Sequence, residues 1–268
     1  MPWETKTAWA PPGRWNFPPA VRALLFGTVG LSLFQWVADD LTGGAFTRWF
    51  GLSWLSLRRG LVWTPVTYIF LHGGVFHLLM NMLVLFFLGP ETERALGSRK
   101  FLLLYFISGL LGGLGWVWIE DSPLVTCIGA SGAVFGILGA FAALFPNQPI
   151  TLLLFYVVPV TLRAWVLAVI LGLVELMFLL SPGSGSVANA AHLAGGLAGY
   201  FYALGLVRGE RSGARSWRKV AKLFTPPPAD DARELDRLLD KIANHGLHSL
   251  TPREREWLDR ASRARRGS

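Results

Sequence analysis

The side chains that could do chemistry in this chain are few, and they sit in apolar surroundings. Ser131 stands in Gly129-Ala130-Ser131-Gly132-Ala133-Val134-Phe135-Gly136, at the opening of an apolar run that continues to Phe145. Glycines on both sides let backbone and substrate approach a hydroxyl closely, as a nucleophile requires. Small residues in an apolar helix also mark helix–helix contacts, so the octapeptide alone does not decide. A second apolar segment carries His72, His77 and Asn81, and a third carries His192, followed by Gly195, Gly196 and Gly199. Ionisable and amide side chains in such segments are costly and are functional candidates by default.

Spacing sorts these residues. His77 and Asn81 are four apart and share one helical face. Gly195 and Gly199 lie three and seven residues beyond His192, on its own face, so that face can approach a neighbouring helix closely. Phe135 lies one turn below Ser131. A serine, a histidine on another helix and a His/Asn pair on a third are the parts of acyl transfer. The serine attacks a carbonyl, the histidine takes and returns its proton, and side-chain donors hold the oxyanion. Taken singly, each of these groups could equally cross-bond two helices. A zinc site built from His72, His77 and His192 is the other chemistry. His72 and His77 are five apart, which splays them around a helix, and no His-Glu-x-x-His occurs, so no metal and no cofactor is expected.

Composition dictates how such residues must be held. Of 268 residues 52% are hydrophobic and only 16% charged, too few charges for a soluble domain of this size. Several apolar runs approach the length needed to cross a bilayer. The chain therefore reads as an all-α polytopic membrane protein with six spans: about Val21–Leu41, Pro65–Leu88, Phe101–Ile119, Ser131–Phe145, Arg163–Leu180 and Ala191–Val207. Gly89-Pro90 is expected to end the second. The first lacks an Ala-x-Ala-like exit and reads as a span, not a cleaved signal. Gly43–Val62 is too broken to span and too apolar for a solvated loop, so it is placed in the membrane interface. Ile150–Val160, short and bracketed by prolines, is placed there too. The single cysteine, Cys127, permits no internal disulfide.

The net charge of +8 comes largely from the tails and short loops, and reads as topology and anionic-lipid contact, not nucleic-acid binding. Lys6, Arg14, Arg22, Arg94, Arg99, Lys100, Arg163 and the basic tail fall on one side, which the positive-inside rule makes cytoplasmic, with both termini. The expected organisation is a cytosolic arm (1–19), a membrane domain (20–207), a basic Pro-rich linker (208–229) and a cytosolic helical hairpin (230–268). In the hairpin Leu235, Leu238, Leu239 and Ile242 keep helical spacing, Asn244-His245-Gly246 is a stop, and Thr251-Pro-Arg-Glu254 is a capping box.

The motifs jointly resemble the rhomboid intramembrane serine protease family. Gly129-Ala130-Ser131-Gly132 is similar to its Gly-x-Ser-Gly motif, and Ala191-His192-Leu193-Ala194-Gly195 with Gly199 to its Ala-His-x-x-Gly helix. His72-Gly-Gly-Val-Phe-His77-Leu-Leu-Met-Asn81 is similar to its second-helix motif, and Gly89-Pro-Glu-Thr-Glu93-Arg-Ala-Leu-Gly97 to the turn that follows. The resemblance covers roughly residues 20–207. It implies a rhomboid-like six-helix bundle with an interfacial loop after the first helix. It implies a Ser131–His192 dyad with His192 as general base, and an oxyanion hole from His77, Asn81 and the Ser131 backbone N–H. Gly129, Gly132, Phe135, Gly195, Gly199 and His72 are expected in support. Implied substrates are transmembrane segments of other proteins, cleaved near the outer face of a bacterial inner membrane.

Three positions depart from the family pattern. Phe135 stands where tyrosine is common, which keeps a ring under His192 without the hydroxyl. Trp63-Thr64 stands where a Trp-Arg pair is usual. No acid adjoins His192 in sequence, Asn189 being nearest, so a dyad is expected and not a triad. The 181–190 loop is an expected lid and the fifth span an expected side gate. The competing function is a catalytically inactive rhomboid-like protein that binds membrane helices for quality control. Such relatives typically lack the serine or histidine, and this chain keeps both. A small transporter is a third class, disfavoured because no inverted repeat appears. The hairpin resembles an appendage of some bacterial rhomboid proteins, and a cytosolic partner for residues 230–268 is expected of it as readily as a solvated tail.

Overall fold

The structure is a computed structural model that describes residues 17–154, 158–181, 187–212 and 229–266. The chain divides into two compact units between Leu206 and Val207. The first is a bundle of apolar helices. Among the described residues four helices are long and apolar enough to cross a membrane: α1 (Pro19–Thr42), α5 (Val75–Leu96), α6 (Ser98–Ile119) and the 188–207 part of α9 (Val187–Ser212). Two shorter apolar helices, α7 (Ser131–Leu144) and α8 (Ala164–Leu180), complete the bundle. At 1.5 Å per residue α7 runs only about 21 Å against about 33 Å for α6. α7 buries residues on every side, including Gly132, Ala133, Ile137 and Phe141. A helix apolar all round belongs in a packed core or a bilayer, and its burial puts α7 inside the bundle. Phe26, Phe34, Leu173, Met177 and Phe201 lie exposed on the outer helices, as hydrocarbon-facing side chains must.

Between α1 and α5 the chain forms α2 (Ala45–Phe50), α3 (Trp54–Arg58), α4 (Thr64–Thr67) and a 3-10 turn, Tyr68–Phe70. The expected second span therefore starts late. Residues 65–74 are short helix and loop, which puts His72 ahead of α5. Gly89-Pro90 also does not end α5. Proline removes one helical hydrogen bond, but tertiary contacts hold the turns beyond it. Gly89 packs on Val21. The buried Glu93 carboxylate accepts the N–H groups of Ala20 (3.0 Å) and Val21 (2.7 Å) and the Ser98 hydroxyl (2.7 Å). Glu93 thereby caps the first turn of α1, where Pro18 and Pro19 preset the backbone but offer no capping side chain.

The bundle carries one departure from an all-helical reading. The segment placed in the interface folds as an antiparallel hairpin of β1 (Pro149–Leu154) and β2 (Val158–Arg163), with Pro149 opposite Arg163 and Leu154 opposite Val158. Thr151 and Thr161 join hydroxyls across it at 2.9 Å.

The second unit contains α10 (Ala229–His245) and α11 (Pro252–Arg266), joined by a 3-10 turn at Leu247–Ser249. Gly246, with φ +77°, ends α10 by donating its N–H to the Ile242 carbonyl. The Thr251 hydroxyl accepts the Glu254 N–H at 3.3 Å while Glu254 accepts the Thr251 N–H at 2.8 Å, a complete capping box. Leu238 and Leu250 are buried, whereas Leu239 is 49% exposed. Glu254 also binds Lys241 (2.8 Å) and Arg237 (2.9 Å), and these contacts, Lys241 foremost, draw its carboxyl down to about 2. Most of the expected arm of residues 1–19 (1–16), most of the linker (213–228) and the middle of the expected lid (182–186) lie outside the described residues.

Candidate active site

Ser131 is the first residue of α7, so its backbone N–H is among the N–H groups that a helix start leaves unpaired. The loop that delivers it is held from two sides. Leu52 and Cys127 exchange backbone hydrogen bonds (3.1 and 2.7 Å), and the Gly129 N–H donates to the Tyr68 carbonyl (3.0 Å). Gly129 has φ +129° and its Cα faces the His77 ring. A Cβ there would lie 2.6 Å from His77 Cε1, so both backbone and space require glycine.

His72 braces the same loop from the other side. Its Nε2 accepts the Ala130 N–H at 3.4 Å. Nδ1 then carries the proton and donates to Ser32 Oγ (2.9 Å), whose hydroxyl donates to the Phe70 carbonyl (3.1 Å). Gln35 accepts the His72 N–H at 2.8 Å, and Trp36 Nε1 donates to its carbonyl at 2.7 Å. Thr28, Ser32 and Gln35 form a buried polar stripe along α1 at helical spacing. Ser32 and Gln35 went unremarked in the sequence reading. Their signal was there, a polar stripe in an apolar span.

His192 arrives on α9. Glycines bring that helix against α7 at backbone distance. A Cβ on Gly195 would stand 2.1 Å from the Gly132 carbonyl oxygen, and one on Gly199 2.0 Å from that of Gly136. The α7 glycines are equally constrained: a Cβ on Gly139 would meet the Gly196 carbonyl oxygen at 2.2 Å. This approach stacks the His192 imidazole on Phe135, with ring centroids 4.4 Å apart and planes 2° from parallel.

Ser131, His192, His77, Asn81 and Phe135 line one cavity of about 470 Å³, walled otherwise by apolar groups such as Met80, Trp116 and Leu171. Asn81 donates to the His77 carbonyl (3.0 Å) on the same face of α5. His72 lies outside this lining, stacked edge-on to His77 at 5.1 Å. The cavity thus gathers a hydroxyl at a helix start, an imidazole on a close-packed helix, and a second imidazole and an amide opposite. These groups can attack a carbonyl, shuttle a proton and receive an oxyanion.

One neighbour of His192 was not anticipated. Glu175, the sole ionisable side chain of α8, places Oε1 2.9 Å from His192 Nδ1, and its Oε2 accepts a hydrogen bond from Asn189 Nδ2. An isolated carboxylate in an apolar span was the signal that could have found it.

Comparison with known proteins places the chain. A family model described as Rhomboid domain matches residues 59–209, over half the chain. A second, described as a family of unknown function (DUF6576), matches residues 229–264. "Putative rhomboid protease YdcA" of Bacillus subtilis (strain 168) is 40% identical over 131 residues, covering 48% of this chain and 60% of that protein. "Rhomboid protease GluP" of the same organism is 30% identical over 243 residues, 87% of this chain and 42% of that protein. "Inactive RHOMBOID-like protein 8" of Arabidopsis thaliana is 35% identical over 92 residues, 34% of this chain and 25% of that protein. The chain spans at most 60% of the length of these three relatives. On the family match and the bundle that carries its motifs, this chain belongs to the rhomboid family.

Proposed function

We propose that the protein is an intramembrane serine endopeptidase. The observation that carries the reading is the convergence of Ser131, His192, His77 and Asn81 on one cavity, with Ser131 at the start of a short helix. Ser131 Oγ attacks the scissile carbonyl carbon while His192 Nε2 takes its proton. The oxyanion is received by the Ser131 N–H, the positive end of α7, and side-chain donors from His77 and Asn81. His192 returns the proton to the leaving amine, and the peptide bond breaks to give an acyl-enzyme. Water, deprotonated by His192, attacks the acyl carbon and releases the acid and Ser131. His72 takes no proton in this scheme; it holds the loop ahead of Ser131.

The substrates are transmembrane segments of other membrane proteins, entering from the bilayer. Six passes put both termini on the cytoplasmic side of the plasma membrane, by the charge bias of the loops. Residues 230–268 form a separate cytosolic module available to a partner. The inactive, helix-binding reading finds support in a relative named inactive, and the two are told apart by one assay. The purified chain in liposomes is given a fluorescent transmembrane-segment peptide, beside Ser131→Ala and His192→Ala. Cleavage by the parent and by neither variant is expected. Cleavage that survives Ser131→Ala overturns the assignment.

A further inference from the structure

We infer that Glu175 is a positioning residue for His192, making the machinery a Ser131–His192–Glu175 arrangement and not a bare dyad; this rests on the protease reading above. Glu175 is the only ionisable side chain of α8, a helix of otherwise apolar residues whose buried positions are Ala164 and Leu167. A carboxylate there is costly unless it has partners. Both its oxygens are given to α9: Oε1 to His192 Nδ1 at 2.9 Å, Oε2 to the Asn189 amide. The two facing side chains are 17% (His192) and 14% (Glu175) exposed, so the pair is largely sheltered.

The imidazole then has two independent restraints. Phe135 fixes the plane of the ring by stacking, and Glu175 fixes its rotation within that plane. A carboxylate at Nδ1 selects the tautomer that carries its proton on Nδ1, leaving the Nε2 lone pair free to take the Ser131 proton. The same negative charge stabilises the imidazolium formed when the proton arrives. The Nδ1–H direction is bent away from the line of a hydrogen bond, and such contacts often straighten only when substrate is bound. Because Glu175 stands on α8 and His192 on α9, the orientation of the base depends on α8 being seated.

The test compares the parent with Glu175→Gln, Glu175→Asp and Ser131→Ala in liposomes. It measures cleavage of the fluorescent transmembrane-segment peptide, the labelling rate by a fluorophosphonate dye, and the thermal midpoint. Gln keeps the size of the side chain, removes the charge and leaves one acceptor oxygen in place of two. Glu175→Gln is expected to lower kcat and the labelling rate at least about tenfold, with KM and thermal midpoint unchanged, and Glu175→Asp to recover part of the loss. Parent-like kcat in Glu175→Gln overturns the inference. So does a loss of kcat matched by a lower thermal midpoint, which assigns Glu175 to holding α8 on α9 alone. A parent that neither cleaves nor labels, or a Ser131→Ala variant that does both, overturns the protease reading itself.

Discussion

The imidazole of His192 lies flat on the ring of Phe135, with centroids 4.4 Å apart and planes within 2°. The contact joins α7 and α9 one turn from Ser131, so one aromatic ring links the positions of Ser131 and His192. An aromatic pair of this kind is worth about 1 kcal/mol beyond its burial, or about fivefold in rate. Phe135→Leu is expected to lower kcat by about that factor with little change in KM, and Phe135→Tyr to retain activity. Steady-state kinetics on the fluorescent peptide distinguish the two.

The glycines of the helices should divide sharply by contact. Gly199→Ala would drive a methyl to 2.0 Å from the Gly136 carbonyl oxygen, backbone that cannot move aside. A loss of about 1–3 kcal/mol or more is expected, as for other overpacked sites, with a lower thermal midpoint and lost cleavage. Gly172 and Gly205 have nothing within 4 Å of a Cβ. Alanine at either should leave the midpoint unchanged or raise it, since alanine favours the helix by about 0.5–1 kcal/mol. A thermal-shift series in detergent reads all three.

His72 should matter for stability more than for chemistry. Its side chain joins Ser32 of α1 to the Ala130 N–H, ahead of Ser131. His72→Ala takes the acceptor from the Ala130 N–H and one of two partners from the Ser32 hydroxyl, which keeps the Phe70 carbonyl; a buried polar group left unpaired costs about 1–3 kcal/mol. The thermal midpoint should fall in His72→Ala. Ser32→Ala, which keeps the imidazole in place, should lose less. An unchanged midpoint in His72→Ala would remove its bracing role.

The tail hairpin should loosen in acid. The Glu254 carboxyl is held at about 2 against an ordinary value of 4.5, chiefly by Lys241. A carboxyl depressed in the folded state adds stability above its ordinary value, and that stability is lost as pH falls through the folded one. Helicity of residues 229–266, followed by NMR of the whole chain in nanodiscs, is therefore expected to hold at pH 5 and to weaken progressively between about pH 4.5 and 2. In Glu254→Gln this dependence should largely disappear.

Much of the fold could be read from local pattern. The apolar runs that become α1, α6, α7 and α8 begin and end within three residues of where hydropathy puts them, and the capping box at Thr251–Glu254 forms as its spacing requires. What could not be read depends on partners distant in sequence. α5 continues past Gly89-Pro90 because Glu93 binds the start of α1, 72 residues away. Pro149–Leu154 and Val158–Arg163 pair as antiparallel strands, where an apolar run between prolines fits a strand or an interfacial segment equally well. The motifs identified Ser131, His192, His77 and Asn81. Glu175 escaped because no neighbour in sequence points to it, and only the packing of α8 on α9 sets it beside His192.

The most direct measurement is the site of covalent attachment of a fluorophosphonate to the chain in liposomes. A lone activated serine forms one adduct, by attack of its oxygen on phosphorus with departure of fluoride. The account predicts a single adduct, mapped by mass spectrometry to Ser131 and absent from His192→Ala. An adduct elsewhere, or one on Ser131 that persists at the parent rate in His192→Ala, would contradict it.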